Sequence, residues 1–224
     1  MLLPFTPEGQ RLDNMIFTDV QSPDYEPLAP EYAEADLAEA QRILDEAGWV
    51  EGSDGVRERD GERLTIELST TSGNERRAQT SELIAAQLAP AGIEVELDDC
   101  PSECLFSERL PEGQFQVTLK SFTASPFPIA DARARFETGG GDNYGEFSDE
   151  EFDRLAEEAS RALDLDERRQ LGNAMAERVW EGLTMIPIYQ LPNLVAYDED
   201  ITGIEPNGTR EGMFWNSAAW GRAG

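Results

Sequence analysis

The stretch RLTIELSTTSGNERRAQTSELIAAQLAPAGIEVEL, residues 63–97, decides the fold. It begins with a run in which Leu64, Ile66 and Leu68 alternate with polar residues, the pattern of a half-buried strand. A segment of helical periodicity follows and ends near Gly92, after which IEVEL alternates again. Strand, helix and strand within about 35 residues predict a βαβ unit with parallel strands, and therefore an α/β fold.

A capped helix and a tight turn come before this unit. In DLAEAQRILDEAGW, Asp36 is the predicted N-cap and Gly48 the left-handed residue at the C-terminus. The dipeptide Asp60-Gly61 then predicts a two-residue hairpin turn between short antiparallel strands. Antiparallel strands beside parallel ones indicate a mixed sheet, in which helices flank the βαβ unit.

The segment NYGEFSDEEFDRLAEEA, residues 143–159, passes from an irregular loop into a strongly acidic helix. Ser148 is the predicted N-cap, and Phe147 is expected to pack on Phe152. The helix buries its apolar face and turns its carboxylates to water, so we interpret it as structural. The loop is the better place for a binding site, since binding groups lie preferentially on loops held by a rigid scaffold.

The charge balance limits the partners. The chain has 46 acidic and 18 basic residues, and its formal net charge of -28 repels nucleic acid and anionic membranes. No apolar run approaches the roughly 18 residues of a membrane span. We therefore expect no nucleic-acid partner and no span of a membrane by this segment.

The inventory of reactive residues argues against catalysis. The chain has no histidine, the commonest general base, and no motif of a nucleophile elbow or a phosphate-binding loop. Its two cysteines, Cys100 and Cys104, are too few for a zinc site without histidine. We predict no catalytic residue, no metal ligand and no cofactor. A local disulfide and two reduced thiols both remain open for the cysteine pair.

Five segments carry a resemblance to a known family. They are DLAEAQRILDEAGW, DGVRERDGERLTIEL, AGIEVEL, NYGEFSDEEFDRLAEEA and MIPIYQLPNLVAYDEDITGI. In this order they are similar to the C-terminal lobe of the family 5 extracellular solute-binding proteins, the oligopeptide, dipeptide and nickel receptors of ABC importers. The resemblance implies one lobe of a two-lobed, periplasmic-binding-protein-like fold of type II.

The resemblance also implies a division of the chain and a function. Residues 1–35 are an irregular lead-in on the hinge side, residues 36–184 the ligand-binding lobe, and residues 185–224 crossing strands with a return segment toward an N-terminal lobe. The implied function is capture of a small solute, in first place a peptide, and its delivery to ABC permease subunits. We expect a non-enzymatic monomer, extracellular or in the cell envelope, periplasmic or a lipoprotein whose membrane anchor lies outside this segment.

Candidate ligand contacts follow from the same resemblance. They lie after the predicted strand of residues 114–124, in the loop before the acidic helix and in the predicted crossing segment. For the loop residues, bonding of the turn backbone and packing are the alternative roles, and for Phe122 the alternative is packing in the core. Peptide-binding members often place an acidic residue just after the strand to meet the ammonium group of the ligand, and here the chain has no acid in Phe122–Ser125. The candidates are Phe122, Thr123, Asp131, Asn143, Tyr144, Tyr189 and Asn193.

Two other classes of function compete with a solute receptor. A carboxylate-based hydrolase needs only paired acids, but with 46 acidic residues close pairs are expected by chance, and a nucleophile motif is missing. An acidic stand-alone interaction domain would concentrate its carboxylates on one face, whereas here they are spread through amphipathic patterns. The ordered family segments favour the receptor.

Overall fold

The computed structural model of the chain describes residues 11–18, 24–28, 35–191, 195–205, 207 and 211–222. Contacts within the chain divide it into two compact units. The sheet unit is Tyr32–Ser121, and the helical unit combines Met1–Glu31 with Phe122–Gly224. The boundaries predicted after residues 35 and 184 follow another criterion, since they separate a ligand-binding lobe from hinge segments, and they stay a prediction.

The sheet unit begins with a capped helix and a small antiparallel sheet. Asp36 is the N-cap, as predicted, and its carboxylate accepts the Glu39 N–H at 2.9 Å. Asp60 and Gly61 have φ of 54° and 85°, the left-handed backbone that a two-residue hairpin turn requires. The predicted helix and hairpin are confirmed as α1 (Leu37–Glu46), β1 (Val50–Glu51), β2 (Arg57–Arg59) and β3 (Glu62–Arg63).

A parallel sheet follows and confirms the βαβ unit. Its elements are β4 (Thr65–Ser69), α2 (Glu75–Leu88), β5 (Glu94–Leu97), the helical turn α3 (Ser102–Cys104) and β6 (Val117–Thr118). The strand β4 lies in the centre, parallel to β5 on one side and to β6 on the other. The last strand is much shorter than the predicted run of residues 114–124. Leu119 adds only one backbone bond, from its N–H to the Ser69 carbonyl at 2.9 Å.

A buried arginine holds the first helix against the rest of the sheet unit. The Arg57 guanidinium donates to the Ala91 carbonyl at 2.9 Å and to the Trp49 carbonyl at 2.6 Å, and it forms an ion pair with Asp45. By contrast, α1 has no fully buried residue, and its apolar Leu37 and Ile43 are 44% and 52% exposed. The polar contacts of Arg57 therefore contribute much to holding α1 in place.

The described part of the helical unit consists of helices around an aromatic core. Its elements are α4 (Pro128–Phe136), α5 (Glu150–Arg161), α6 (Leu165–Gly182), the 3-10 helix Gly212–Ala219 and the antiparallel strands β7 (Ile201–Thr202) and β8 (Gly221–Arg222). Phe136, Phe147 and Phe152 pack edge to face, with ring centroids 5.6 to 6.4 Å apart. The predicted contact of Phe147 with Phe152 is confirmed.

The acidic helix α5 begins one residue later than predicted. Its N-cap is Asp149, whose carboxylate accepts the Phe152 N–H at 2.7 Å, so the prediction of Ser148 as the cap is wrong. The Ser148 hydroxyl is hydrogen-bonded instead to the Thr138 hydroxyl at 3.1 Å. A carboxylate at the cap also interacts favourably with the positive end of the helix dipole, which a neutral hydroxyl does not.

Part of the irregular lead-in lies in the hydrophobic core of the helical unit. Met15, Ile16 and Phe17 are all buried there. Gly172 on α6 makes room for the Phe17 ring, since a Cβ at that position would lie 2.6 Å from it. The described part of the lead-in is irregular in backbone, and it is an integral part of this core.

The surfaces of the helices carry ion pairs at helical spacing. Arg154, for example, binds Glu151 and Glu158, each at 2.6 Å. Such exposed pairs contribute little to stability, because water and salt screen their attraction. None of the helices in the described ranges has the length and apolar character needed to cross a bilayer.

Candidate functional site

The predicted ligand contacts fall in one unit. Asn193 lies outside the described residues. The other six belong to the helical unit, where they form three groups: one before α4, one in the loop before α5 and one after α6. They are Phe122, Thr123, Asp131, Asn143, Tyr144 and Tyr189.

The first group combines the aromatic ring of Phe122 with the guanidinium group of Arg135, whose charge is paired with Asp131. Phe122 is 36% exposed, and the guanidinium carbon of Arg135 lies 4.2 Å from the centre of its ring. The other side of the guanidinium charge is met by Asp131, at 3.8 Å between Nη2 and Oδ2. This arrangement holds the Phe122 ring by a cation–π contact and leaves part of it accessible. Thr123 follows it and is exposed.

Asp131 has a structural task in this group. Its Oδ2 accepts the Ser125 N–H at 2.9 Å, which ties the segment before α4 to the first turn of that helix. Pro128 begins the helix with its fixed φ, and a carboxylate in the first turn suits the helix dipole. The Asp131 Oδ2 atom therefore makes both contacts, with the Ser125 N–H and with Arg135.

The second group is a loop ordered by an asparagine. The Asn143 amide nitrogen donates to the Glu137 carbonyl at 3.1 Å and to the Phe147 carbonyl at 2.7 Å. Its amide oxygen accepts the Phe147 N–H at 3.0 Å. The side chain thus bonds the turn backbone, the alternative role considered for it, and a direct contact of Asn143 with a ligand stays a prediction.

Tyr144 is half-buried beside this turn. Its hydroxyl donates to Asp142 at 3.4 Å, and burial, followed by the nearby Asp142 carboxylate, raises the pKa of Tyr144 above its ordinary value. At neutral pH the phenol is therefore protonated and able to donate a hydrogen bond. Gly145 sits close to the chain after α6, since a Cβ there would lie 2.6 Å from the Thr184 hydroxyl oxygen.

The third group lies where the chain after α6 meets the lead-in. Tyr189 forms an isolated antiparallel bridge with Arg11, and the Leu12 N–H donates to the Ile188 carbonyl at 3.4 Å. Tyr189 is half-buried in this arrangement. Of the strand-like runs predicted for residues 185–204, the described residues retain this bridge and the strand β7.

Arg135 is the member of the site that the sequence-based search missed. Its signal was present, because Arg135 follows Asp131 by four positions in a helix, the spacing at which opposite charges meet. The stacking of the guanidinium on Phe122 joins residues from different elements and has no local sequence signal. Within the described ranges, Cys, Asp and Glu side chains form no group of three that could hold a metal ion.

Asp149, the N-cap residue at the end of the loop, also forms an ion pair. Arg178 on α6 binds the Asp149 carboxylate at 2.5 Å. The hydrogen bond from Arg178, together with that from the Phe152 N–H, lowers the pKa of Asp149 below its ordinary value. Partial burial acts in the opposite direction and is outweighed. Asp149 therefore links the loop, α5 and α6.

We expect Asp149→Ala to lower the free energy of unfolding by about 1.5 kcal/mol at pH 7, because the cap and the ion pair are both lost. Since the folded pKa is depressed, this contribution is complete above the unfolded pKa of about 3.9 and is lost as the pH falls through the folded pKa. Urea unfolding of both proteins across that range measures it. The control Asp149→Asn keeps a capping side chain and should lose less, and a difference that persisted unchanged at acidic pH would contradict the assignment.

Comparison with known proteins identifies the family. The chain matches the profile described as bacterial extracellular solute-binding proteins, family 5 middle, over residues 8–144. The oligopeptide-binding protein OppA of Mycobacterium tuberculosis is 27% identical over 158 residues, which make up 70% of this chain and 26% of that protein. Its name is that of a binding protein, in agreement with the prediction of no enzymatic activity.

Solved structures show the same fold. The periplasmic EDTA-binding protein EppA superposes with a TM-score of 0.86 at 26% identity, over 99% of this chain and 41% of EppA. The oligopeptide-binding protein of Thermus thermophilus, solved with a pentapeptide, gives a TM-score of 0.69 at 26% identity, over 81% of this chain and 33% of that protein. The predicted class, a type II periplasmic-binding-protein-like fold, is confirmed. This chain spans well under half the length of each of these relatives.

The expected location outside the cytoplasm agrees with the description of the matched family as extracellular. The matched profile covers more than half of the chain, and the superposed structures share its fold. The chain is a member of family 5 of the bacterial extracellular solute-binding proteins.

Proposed function

We propose that this chain is the C-terminal lobe of a solute receptor of an ABC importer. The receptor captures a small solute in a cleft between two lobes and delivers it to permease subunits. The observation that carries the proposal is the family match over residues 8–144, supported by the superposition of EppA on 99% of the chain. The receptor acts as a monomer, and an anchor outside this segment holds it at the membrane.

A peptide is the first candidate for the solute. The support is that OppA is named an oligopeptide-binding protein and that the Thermus thermophilus structure contains a pentapeptide. A polycarboxylate chelate is the second candidate, because EppA is named an EDTA-binding protein. A peptide and a polycarboxylate chelate differ in charge, so the two classes need different contacts in the receptor.

Phe122, Thr123 and Tyr144 are the contacts that this lobe contributes in our proposal. The accessible part of the Phe122 ring offers a flat apolar face, and the half-buried Tyr144 offers a second aromatic ring, whose hydroxyl proton is directed at Asp142. Asp131 is engaged with Ser125 and Arg135. Because Arg135 already partners the charge of Asp131, we expect Asp131 to contribute little to the binding of a peptide ammonium group, so that this lobe distinguishes weakly between free and N-acetylated forms of one peptide.

The test is a thermal-shift screen of the receptor that contains this chain. The probes are tri- to pentapeptides with free and acetylated N-termini, linear oligosaccharides, and EDTA with and without Fe(III). A ligand that binds only the folded state raises the melting temperature. Phe122→Ala should weaken the binding of an active probe about tenfold, and Phe214→Ala, which removes an exposed ring from the same unit, should leave it unchanged.

Each outcome of the screen bears on the proposal. A shift by peptides supports a peptide receptor, and a shift by EDTA alone supports a receptor for polycarboxylates. No shift by any probe would overturn the receptor function. Equal losses in Phe122→Ala and Phe214→Ala would overturn the proposed contact surface.

A further inference from the structure

Two cysteines stand at the carboxyl edge of the parallel sheet. Cys100 is 6% exposed and continues the line of β5. Its N–H donates to the Thr70 carbonyl at 3.1 Å, and its carbonyl accepts the Ser72 N–H at 2.8 Å. The backbone of Cys100 is therefore held in register beside the residues that follow β4.

The second cysteine is brought back to the first by a turn. Pro101 is the N-cap residue of α3, and its carbonyl accepts the Leu105 N–H at 3.0 Å. Cys104 is the last residue of that short helix and is half-buried. It lies one turn after Cys100, and its thiol is the neighbouring group that acts on the Cys100 thiol.

The surroundings assign different reactivities to the two thiols. Burial, and next the hydrogen bond with Cys104, raise the pKa of Cys100 to about 11. Cys100 is thus a protonated, inaccessible thiol at neutral pH. Cys104 is the more accessible of the two and is the point at which an external reagent would enter.

We propose that Cys100 and Cys104 form a local disulfide once the protein is outside the cytoplasm, and that this bond fastens α3 to the carboxyl edge of the sheet. Members of this family are extracellular by description, and neighbouring thiols are readily oxidised in such compartments. The two cysteines have no competing partner in the sequence, because they are the only ones in the chain.

The oxidant is a disulfide of the thiol–disulfide oxidoreductase or glutathione class. The Cys104 thiolate attacks one sulfur of that disulfide, which forms a mixed disulfide and releases the other sulfur as a thiol. Cys100 then loses its proton and attacks the Cys104 sulfur, which forms the internal bond and releases the second thiol. Two protein thiols are oxidised and one external disulfide is reduced to two thiols.

The ring closed by this bond is small and already half-formed. It contains Pro101, whose φ is fixed, and the residues of α3, whose backbone is helical. It joins Cys100, whose backbone bonds the chain after β4, to Cys104, which directly precedes the fully buried Leu105. Oxidation therefore secures the segment that connects β5 to β6.

Thiol counting on the secreted chain tests the proposal. The protein is exported to an oxidising compartment, purified without reductant, unfolded in guanidinium chloride and treated with a maleimide. Because the protein is unfolded, a thiol that does not react with the maleimide cannot have been protected by burial. We expect no labelled thiol before treatment with dithiothreitol and two labelled thiols after it. Cys100→Ser and Cys104→Ser, which are matched single-thiol controls, should each give one labelled thiol without reduction.

The consequence for stability is measured on the same samples. The oxidised protein should melt about 5 °C above the reduced protein, and the difference should be absent in both single variants. Two thiols that label without reduction would overturn the disulfide. A disulfide that forms without any difference in melting temperature would overturn its role in fastening α3.

Discussion

Phe152→Ala is expected to lower the free energy of unfolding of the helical unit by about 4 kcal/mol. The ring has no exposed surface, and it contacts Phe136 and Phe147 edge to face, with centroids 6.0 and 5.6 Å away. Its removal deletes buried apolar area and two aromatic pairs and leaves a cavity between α4 and α5. Urea unfolding, followed by tryptophan fluorescence and circular dichroism, measures the loss.

Phe127→Ala is the matched control for this substitution. It removes the same side chain from the same unit at a position that is 69% exposed, and we expect a change of no more than about 0.5 kcal/mol. A loss below about 1.5 kcal/mol for Phe152→Ala would mean that the three rings do not form the centre of this core.

Local chemistry made the start and the type of most elements predictable. Asp36 caps α1 and Asp60-Gly61 makes the hairpin turn, because each motif satisfies its own backbone within a few residues. The error at Ser148 has a non-local origin. Ser148 and Asp149 are both good caps, and the choice depends on Arg178, which lies on another helix.

Burial was less predictable than secondary structure. The apolar face of α1 predicts a helix correctly, but Leu37 and Ile43 stay 44% and 52% exposed, and the helix is held by the polar contacts of Arg57. The lead-in shows the opposite discrepancy, because its apolar residues are buried although no periodicity predicts their burial. Phe17 lies in a stretch without periodicity, and the Gly172 position that accommodates its ring is far away in the sequence.

The candidate site, too, depends on contacts that a single sequence does not reveal. The sequence pattern singles out loops that flank capped helices, and the structure places six of the predicted residues in one unit. The pairing of Phe122 with Arg135, and the full engagement of the Asn143 amide by its own turn, depend on three-dimensional contacts. A single sequence identifies such a loop as a candidate and does not distinguish residues that shape it from residues that touch a ligand.

Asn14 organises the buried part of the lead-in. Its side chain has no exposed surface, and its amide oxygen accepts the N–H groups of Ile16 and Phe17, each at 2.9 Å. Its amide nitrogen donates to the Glu26 carbonyl at 3.1 Å and to the Asn173 amide oxygen at 3.0 Å. One side chain thus connects two parts of the lead-in to α6.

Asn14→Ala should lower the free energy of unfolding by about 3 kcal/mol, because two buried N–H groups and the Asn173 amide oxygen lose their partner. Asn14→Asp is the sharper control, since it keeps the acceptor for Ile16 and Phe17 but directs a carboxylate at the oxygens of Glu26 and Asn173. Burial beside these acceptors raises the folded pKa of the new carboxyl group, so the stability of Asn14→Asp should fall as the pH rises above about 3.9 and recover on acidification. Urea unfolding of both variants between acidic and neutral pH measures this. A loss in Asn14→Ala below about 1 kcal/mol, or an Asn14→Asp stability that follows the pH dependence of the unsubstituted protein, would show that the lead-in is not held by this network.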